Sequence, residues 1–333
     1  MPAVSLTEIL RRCELLAHFS DPQLARLAGC MSRSHFPAGV KVLRHGDATQ
    51  DAYLIEGGAV RIQRDTAYGQ FRLADLGAGD LFGETAFVDH GERTGDALAI
   101  VDSDLLAMNP VAVEALIERD PQVHLALYWA FWKSLSTKLR LTNERLTRFF
   151  SETGSGPVPR ETAPPPPPQE FRVELTDKRK LFEEQRLSSL EINFLTSLSK
   201  ERKLAPNEVI FRDGEAGNEM YIVLEGRVMI SKFIPGAGEE ALAFLERGDY
   251  FGEMGLIDNK PRSADAKADA GGAVVVVIPR HVLEGILDIK KVSSLRLLKL
   301  LCSLVARRLR ELDEKIVGWF IIAGGQGGAL DDD

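Results

Sequence analysis

Two stretches of this sequence, about half a chain apart, carry nearly the same text. Tyr53 to Ile62 (YLIEGGAVRI) matches Tyr221 to Ile230 (YIVLEGRVMI), and Leu76 to Glu84 (LGAGDLFGE) matches Leu245 to Glu253 (LERGDYFGE). A repeat of that period is a duplicated domain, because solenoids stack units of roughly 20–50 residues. Each copy alternates apolar and other residues around a glycine, as two short strands joined by a turn would. A further turn precedes each copy, Arg44-His45-Gly46-Asp47 and Arg212-Asp213-Gly214-Glu215. Each half therefore orders as leading helices, about eight short strands with glycine turns, then a long helix. That order predicts a mainly β fold with flanking helices (α+β): two β-roll or jelly-roll domains, each followed by a long C-terminal helix.

Between the copies the composition changes sharply. Residues 151–170 hold Gly154, Gly156, Pro157, Pro159 and the run Pro164 to Pro168. Such a stretch cannot pack a core and stays extended as a semi-rigid spacer. The expected organisation is a first domain at 1–150, a proline-rich linker at 151–170, a second domain at 171–322 and a flexible acidic tail at 323–333. A length of 333 residues suits two domains of ordinary size.

Charge and cysteine usage exclude several function classes. Lys and Arg number 41 against 49 Asp and Glu, a formal charge of −8. A surface built to bind nucleic acid needs clustered Lys and Arg, so no DNA partner is expected. Cys13, Cys30 and Cys302 are odd in number and far apart, which fits neither a disulfide framework nor a metal knuckle and points to a reducing, cytoplasmic compartment. The opening residues read as an amphipathic helix containing Arg11 and Arg12, not as a signal peptide. Apolar runs such as Ala273 to Ile278 and Leu125 to Trp132 are too short to span a bilayer, so no membrane partner is expected. Phosphate-loop, dinucleotide and nucleophile-elbow motifs are missing, and the six histidines lack metal-ligand spacing. No enzyme, metal or catalytic residue is expected.

The richest stretches are Phe82 to Thr94 and Phe251 to Ala264. In both, Gly-Glu opens a short helical segment and an Arg follows the Glu at the same interval: Gly83-Glu84 with Arg93, Gly252-Glu253 with Arg262. A helix start presents unpaired N–H groups, and glycine lets the backbone approach an anion. An arginine fork clamps phosphate oxygens. The glutamate would be repelled by phosphate and suits a donor beside it, such as a ribose hydroxyl. A sugar-phosphate with a free hydroxyl is the ligand this arrangement suits. A plainer account of the same residues is a buried Glu–Arg ion pair that only holds the barrel together.

On these residues the sequence resembles the cyclic nucleotide-binding domain family, which includes the catabolite activator proteins and the regulatory subunits of cAMP-dependent protein kinase. The resemblance covers nearly all of both halves, and Phe251 to Ala264 follows the family's phosphate-binding cassette almost throughout. It implies that Glu84 and Glu253 take the ribose 2′-hydroxyl and that Arg93 and Arg262 take the cyclic phosphate. Backbone around Gly83, Glu84, Thr85 and Ala86, and around Gly252, Glu253, Met254 and Gly255, would complete each cradle. The first half departs from the family pattern with Glu92 beside Arg93, where Pro is usual, and Gly95 for Ala; the second departs with Gly255. Thr94 and Ser263, directly after each Arg, hold the hydroxyl that can meet a guanine amino group, yet cAMP-binding members also carry Ser there. The expected ligand is cAMP, with cGMP the alternative and a cyclic dinucleotide a third.

The activator proteins place a helix-turn-helix domain after this helix; the stretch after Ile289 reads mostly as one helix, so no such domain is expected here. A double receptor acting on an unidentified effector protein is the expectation; a ligand-free interaction scaffold of the same fold is the alternative. Both long helices carry a heptad seam. It runs through Leu125, Tyr128, Trp132, Leu135, Leu139, Thr142, Leu146 and Phe149, and through Leu295, Leu298, Cys302, Val305, Leu309, Leu312, Ile316 and Trp319. The seam predicts a coiled-coil pair, either within one chain as a monomeric pseudo-dimer or between chains as a homodimer.

Overall fold

The computed structural model describes residues 5–153, 174–234, 238–287 and 294–324. Most of the span expected to be the linker, and nearly all of the acidic tail, lie outside these residues. The chain forms two compact units, one of residues 1–142 with 305–333 and one of residues 143–304. Both long helices are thus cut by the division, which falls elsewhere than at the proline-rich segment.

The first unit opens with α1 (Leu6–Arg12) and α2 (Asp21–Ala28). Ser5 with Glu8 and Ser20 with Gln23 form capping boxes that satisfy their first N–H groups. Arg11 and Arg12 are exposed on α1, and Arg11 pairs with Asp21 at 2.9 Å, so these arginines stay on the helix's polar face. Eight strands follow: β1 (Met31–Phe36), β2 (Lys41–Leu43), β3 (Ala52–Gly57), β4 (Ala59–Thr66), β5 (Gly69–Gly77), β6 (Leu81–Phe82), β7 (Asp96–Ala99) and β8 (Ser103–Met108). They make two antiparallel four-stranded sheets, β1-β8-β3-β6 and β2-β7-β4-β5. The sheets enclose a core of Leu43, Ile55, Val60, Leu76, Phe82, Ala97 and Leu105. Helix α3 (Glu84–Asp89) sits between β6 and β7, and α4 (Pro110–Arg119) and α5 (Pro121–Thr153) follow. Helix α5 runs three residues into the span expected to be linker.

The second unit repeats the plan with α6 (Leu175–Glu184), α7 (Ser189–Leu198), β9 (Lys200–Leu204), β10 (Val209–Phe211), β11 (Glu219–Ile234), β12 (Gly238–Leu245), β13 (Tyr250–Phe251), α8 (Met254–Asp258), β14 (Asp265–Pro279), α9 (Arg280–Ile286) and α10 (Leu295–Ile322). The expected eight short strands appear here as six among the described residues. The reason is continuity: β11 spans what β3 and β4 divide, and β14 spans what β7 and β8 divide. Strands β11 and β14 pair along their length around Tyr221, Val223, Val228, Ala266, Val275 and Val277, which are core residues.

Helix α10 is shared. Its start belongs to the second unit, where the buried Glu191 carboxylate of α7 accepts the Leu297 N–H at 3.2 Å and so caps an otherwise unpaired donor. Its end belongs to the first unit, where the Phe320 ring lies 4.9 Å from Phe71 and is buried. Burying a Phe contributes about 1.5–3 kcal/mol, enough to hold the helix end on β5.

Candidate functional site

In the first unit the chain leaves β6, passes through Gly83 in the left-handed region (φ 78°) and starts α3 at Glu84. Tyr53 stacks on Phe82 with centroids 5.0 Å apart and fixes the end of β6. A Cβ at Gly83 would lie 2.7 Å from the Asp51 carbonyl oxygen and 2.9 Å from Arg93 Nη1. Gly83→Ala is therefore expected to lower stability by about 1–3 kcal/mol from the backbone conformation alone. Chemical denaturation reads this as a fall in midpoint, and an unchanged midpoint would show that the turn is not under this constraint.

Glu84 is completely buried. Its Oε1 accepts from Ser134 Oγ at 2.8 Å and from Lys138 Nζ at 2.5 Å, both on α5. Its Oε2 is also buried and has no hydrogen-bond partner among the described residues. Arg93 is 3% exposed and donates to three protein oxygens: Nε to Thr49 Oγ1 at 3.1 Å, Nη1 to the Gly83 carbonyl at 2.9 Å and Nη2 to the Asp51 carbonyl at 2.8 Å. Burial pulls its guanidinium pKa down, while Tyr53, Asp51, Asp47 and Glu84 oppose that shift. The plainer account therefore fails in its simplest form, since Arg93 meets carbonyls and a hydroxyl, and Glu84 is neutralised by Lys138.

The second unit keeps the frame and changes the details. Gly252 is again left-handed (φ 77°), Glu253 is buried at the N-cap position of α8, and Tyr221 stacks on Phe251 at 5.0 Å. Arg262 Nη1 reaches the Gly252 carbonyl at 2.5 Å and Nη2 the Glu219 carbonyl at 2.7 Å. Its Nε is buried without a hydrogen-bond partner among the described residues, and the guanidinium lies 4.2 Å from the Phe211 ring centroid. Gly217, at the place of Thr49 in the repeat, makes this pose possible, because a Cβ there would stand 2.4 Å from Arg262 Nε. Desolvation lowers the Arg262 pKa, with Tyr221, Glu253, Glu219 and Glu215 opposing.

The turns ahead of each repeat have a role that spacing alone did not reveal. Gly46 N–H meets the Arg93 carbonyl at 3.0 Å and Arg93 N–H meets the Asp47 carbonyl at 2.9 Å. Gly214 and Glu215 hold Arg262 in the same two-way manner, at 2.9 and 2.8 Å. Each arginine is thus held by its own backbone before its side chain is placed.

Several residues at these sites escape sequence reading. Arg64 donates to the Thr94 carbonyl at 2.9 Å, and Lys232, at the same place in the repeat, donates to the Ser263 carbonyl at 3.1 Å. Lys232 also pairs with Asp213 at 2.8 Å. Asn143 of α5, the first residue of the second unit, brings Nδ2 within 3.3 Å of Ser263 Oγ, and that hydroxyl also lies 3.7 Å from Met254 Sδ. Thr85 and Ala86 lie in the first turn of α3, and Met254 and Gly255 in that of α8, beside the two glutamates. Glu92 is exposed, so its carboxylate does not face Arg93 from inside the site. Gly95 has tight surroundings, a Cβ there falling 3.0 Å from the Gln63 carbonyl oxygen. Among the described residues no group of three His, Cys, Asp or Glu could hold a metal ion, and no helix is long and apolar enough to cross a membrane.

The family model described as the cyclic nucleotide-binding domain matches residues 33–120 and 201–290, one match in each half. Human cGMP-dependent protein kinase 2 is 21% identical over 277 residues, which is 83% of this chain and 30% of that protein. The cyclic AMP receptor protein of Thermus thermophilus is 41% identical over 110 residues, covering 32% of this chain and 51% of the relative. Among solved structures, the regulatory domain of Toxoplasma gondii PKA crystallised with cAMP is 21% identical, with a TM-score of 0.32; the match covers 84% of this chain and 90% of that one. The chain thus spans about a third of the kinase and about half of the receptor protein.

Proposed function

Because the chain belongs to the cyclic nucleotide-binding domain family, once in each half, we propose that it is a non-enzymatic cytoplasmic receptor. It has two cyclic-nucleotide sites, with cAMP the favoured ligand, and passes their occupancy to an effector protein. One observation carries the reading: a fully buried carboxylate oxygen, Glu84 Oε2, and a buried guanidinium nitrogen, Arg262 Nε, both lack partners among the described residues. The large majority of buried polar side-chain atoms in folded proteins are paired, and of the buried atoms without a partner among the described residues these two lie at the Gly-Glu turns and their arginines. An unmet acceptor beside the Gly83 turn suits a ribose hydroxyl, and an unmet cationic donor beside the Gly252 turn suits a phosphate oxygen. Ser263 Oγ accepts from Asn143 Nδ2 and turns its proton toward Met254 Sδ, so a guanine amino group would have to share the hydroxyl with Asn143, which favours cAMP over cGMP.

The arginines also rank the sites. At the first, a phosphate oxygen must compete with Thr49 for Arg93 Nε; at the second, Nε has no competitor. Calorimetry on the full chain with cAMP, cGMP and cyclic di-GMP is expected to give two equivalents of cAMP, the second site filling first. No heat with any of the three would remove the receptor reading and return the ligand-free scaffold. One equivalent, or cyclic di-GMP binding alone, would also overturn it.

Of the heptad residues, Leu125, Trp132, Leu135 and Leu139 on α5, and Leu298, Cys302, Val305 and Leu309 on α10, are buried; light scattering on the full chain distinguishes the monomeric pseudo-dimer from the homodimer. Phe149 lies among the side chains that are not described.

A further inference from the structure

The first cassette is held by a side chain from the far end of the sequence. Arg310 of α10 stands 221 positions from Asp89, yet within the first unit its guanidinium grips the Asp89 carboxylate. Nε reaches Oδ2 at 3.0 Å, and Nη2 reaches Oδ1 at 3.0 Å and Oδ2 at 2.7 Å. The remaining nitrogen, Nη1, donates to the Glu92 backbone carbonyl at 2.6 Å. One fork thereby ties both ends of the Asp89–Glu92 loop, which joins the helix carrying Glu84 to Arg93.

The loop is shaped to admit it. A Cβ at Gly91 would fall 2.6 Å from Arg310 Nη2 and 3.1 Å from its Cζ. His90 is left-handed (φ 55°), and Asp89 Oδ1 also accepts the Gly91 N–H at 2.9 Å. The second half carries Lys260-Pro261 at the place of Gly91-Glu92. A second ion pair from the same helix, Glu314 with Arg64 at 2.5 Å, lies one turn on, and that Arg64 holds the Thr94 carbonyl. Both flanks of Arg93 are therefore braced from α10.

We propose that Arg310 is a positioning residue of the first site, supplied by the last helix of the chain, and that it couples the affinity of that site to the helix anchored at its start in the second unit. The inference rests on the cyclic-nucleotide reading. Linkage makes such coupling reciprocal: whatever moves α10 changes nucleotide affinity at the first site, and filling that site biases α10.

The test is calorimetry with cAMP on the full chain, comparing Arg310→Ala, Arg310→Lys and Gly91→Ala in an Arg262→Ala background that isolates the first site. The same three changes in the otherwise unaltered chain, read from the weaker binding phase, guard against poor folding of the background. Arg310→Ala and Gly91→Ala are each expected to weaken the first site roughly tenfold. Arg310→Lys should fall between, since an ammonium can meet Asp89 but cannot span to the Glu92 carbonyl. Gly91→Ala requires two side-chain ends, the flexible tip of Arg310 and the Asp89 carboxylate oxygen 3.1 Å away, to move aside for the added methyl group, and no backbone atom. This variant should therefore keep the parent melting temperature while losing affinity, which a merely structural role would not produce. First-site affinity unchanged in both Arg310→Ala and Gly91→Ala would overturn the inference and leave the nucleotide reading intact. A parent chain that binds neither cAMP nor cGMP would sink the reading itself, and the inference with it.

Discussion

Arg262→Ala is expected to erase nucleotide binding at the second site while the first still titrates. Hydrogen bonds to charged groups contribute about 1.5–3 kcal/mol each. Loss of one such bond, from Nε to a phosphate oxygen, would weaken binding by about 10- to 100-fold at 1.4 kcal/mol per decade. The same change removes the donors of the Gly252 and Glu219 carbonyls and the cation above Phe211. Some stability therefore goes with it, about 1–3 kcal/mol for carbonyls left without partners. Arg262→Lys separates the two effects. Lysine keeps a positive charge in the pocket but has one nitrogen where arginine uses three, so it cannot hold both carbonyls and offer a third donor to the ligand. The Lys variant should fold close to the parent and bind weakly. Calorimetry with cAMP beside a thermal melt reads both quantities. Two equivalents at parent affinity in Arg262→Ala would show that this arginine is not the phosphate ligand. Gly217→Ala gives an independent check, because its Cβ would displace the Arg262 guanidinium without removing it.

The repeat made the double roll legible, since glycine turns and alternation recur at matched places and the backbone obeys them in both halves. Gly83-Glu84 with Arg93 and Gly252-Glu253 with Arg262 were also legible, because the elements that carry them are local and close together in sequence. What the sequence could not display is the set of partners those residues meet. Lys138 reaches Glu84 across 54 positions, Arg64 reaches Glu314 across 250, and Arg310 reaches Asp89 across 221. Lys138, Arg310 and Glu314 on their helices and Arg64 on β4 read as ordinary polar-face residues, because periodicity reports which face is apolar and not what the other face meets. Thr49 and Gly217 were equally silent: one hydroxyl present or absent in a turn leaves no pattern, yet it decides whether an arginine nitrogen is engaged. Strand number in the second half was missed for a different reason. Gly58, which separates β3 from β4 in one copy, has Gly226 at its place in the other, where β11 runs through it without a break, and the turn chemistry permits both.

Lys138→Met should be among the most destabilising single changes in the first unit. Glu84 has no exposed surface, and apart from Lys138 its described hydrogen-bond donor is Ser134. The ammonium lies 2.5 Å from Oε1 and also donates to the Leu81 carbonyl at 2.8 Å, so it secures both the carboxylate and the strand that leads to it. Removing one member of a buried ion pair costs about 3–5 kcal/mol, chiefly because the remaining charge is stranded. The Lys138 side chain is 17% exposed, so water reaches one end of the pair and the lower figure applies. A loss of about 3 kcal/mol corresponds to a melting temperature lower by roughly 6–12 °C for a unit of this size. Methionine keeps the length and apolar stem of lysine, which limits the cavity and confines the change to the charge. The charge argument has its own control in Glu84→Gln. If a stranded carboxylate causes the loss, the double variant should melt above Lys138→Met alone, because a neutral amide in that place needs no counter-charge. Calorimetric melts of the parent, both single variants and the double variant close the cycle. A Lys138→Met protein that melts with the parent, or a double variant no more stable than it, would show that the carboxylate does not depend on this lysine.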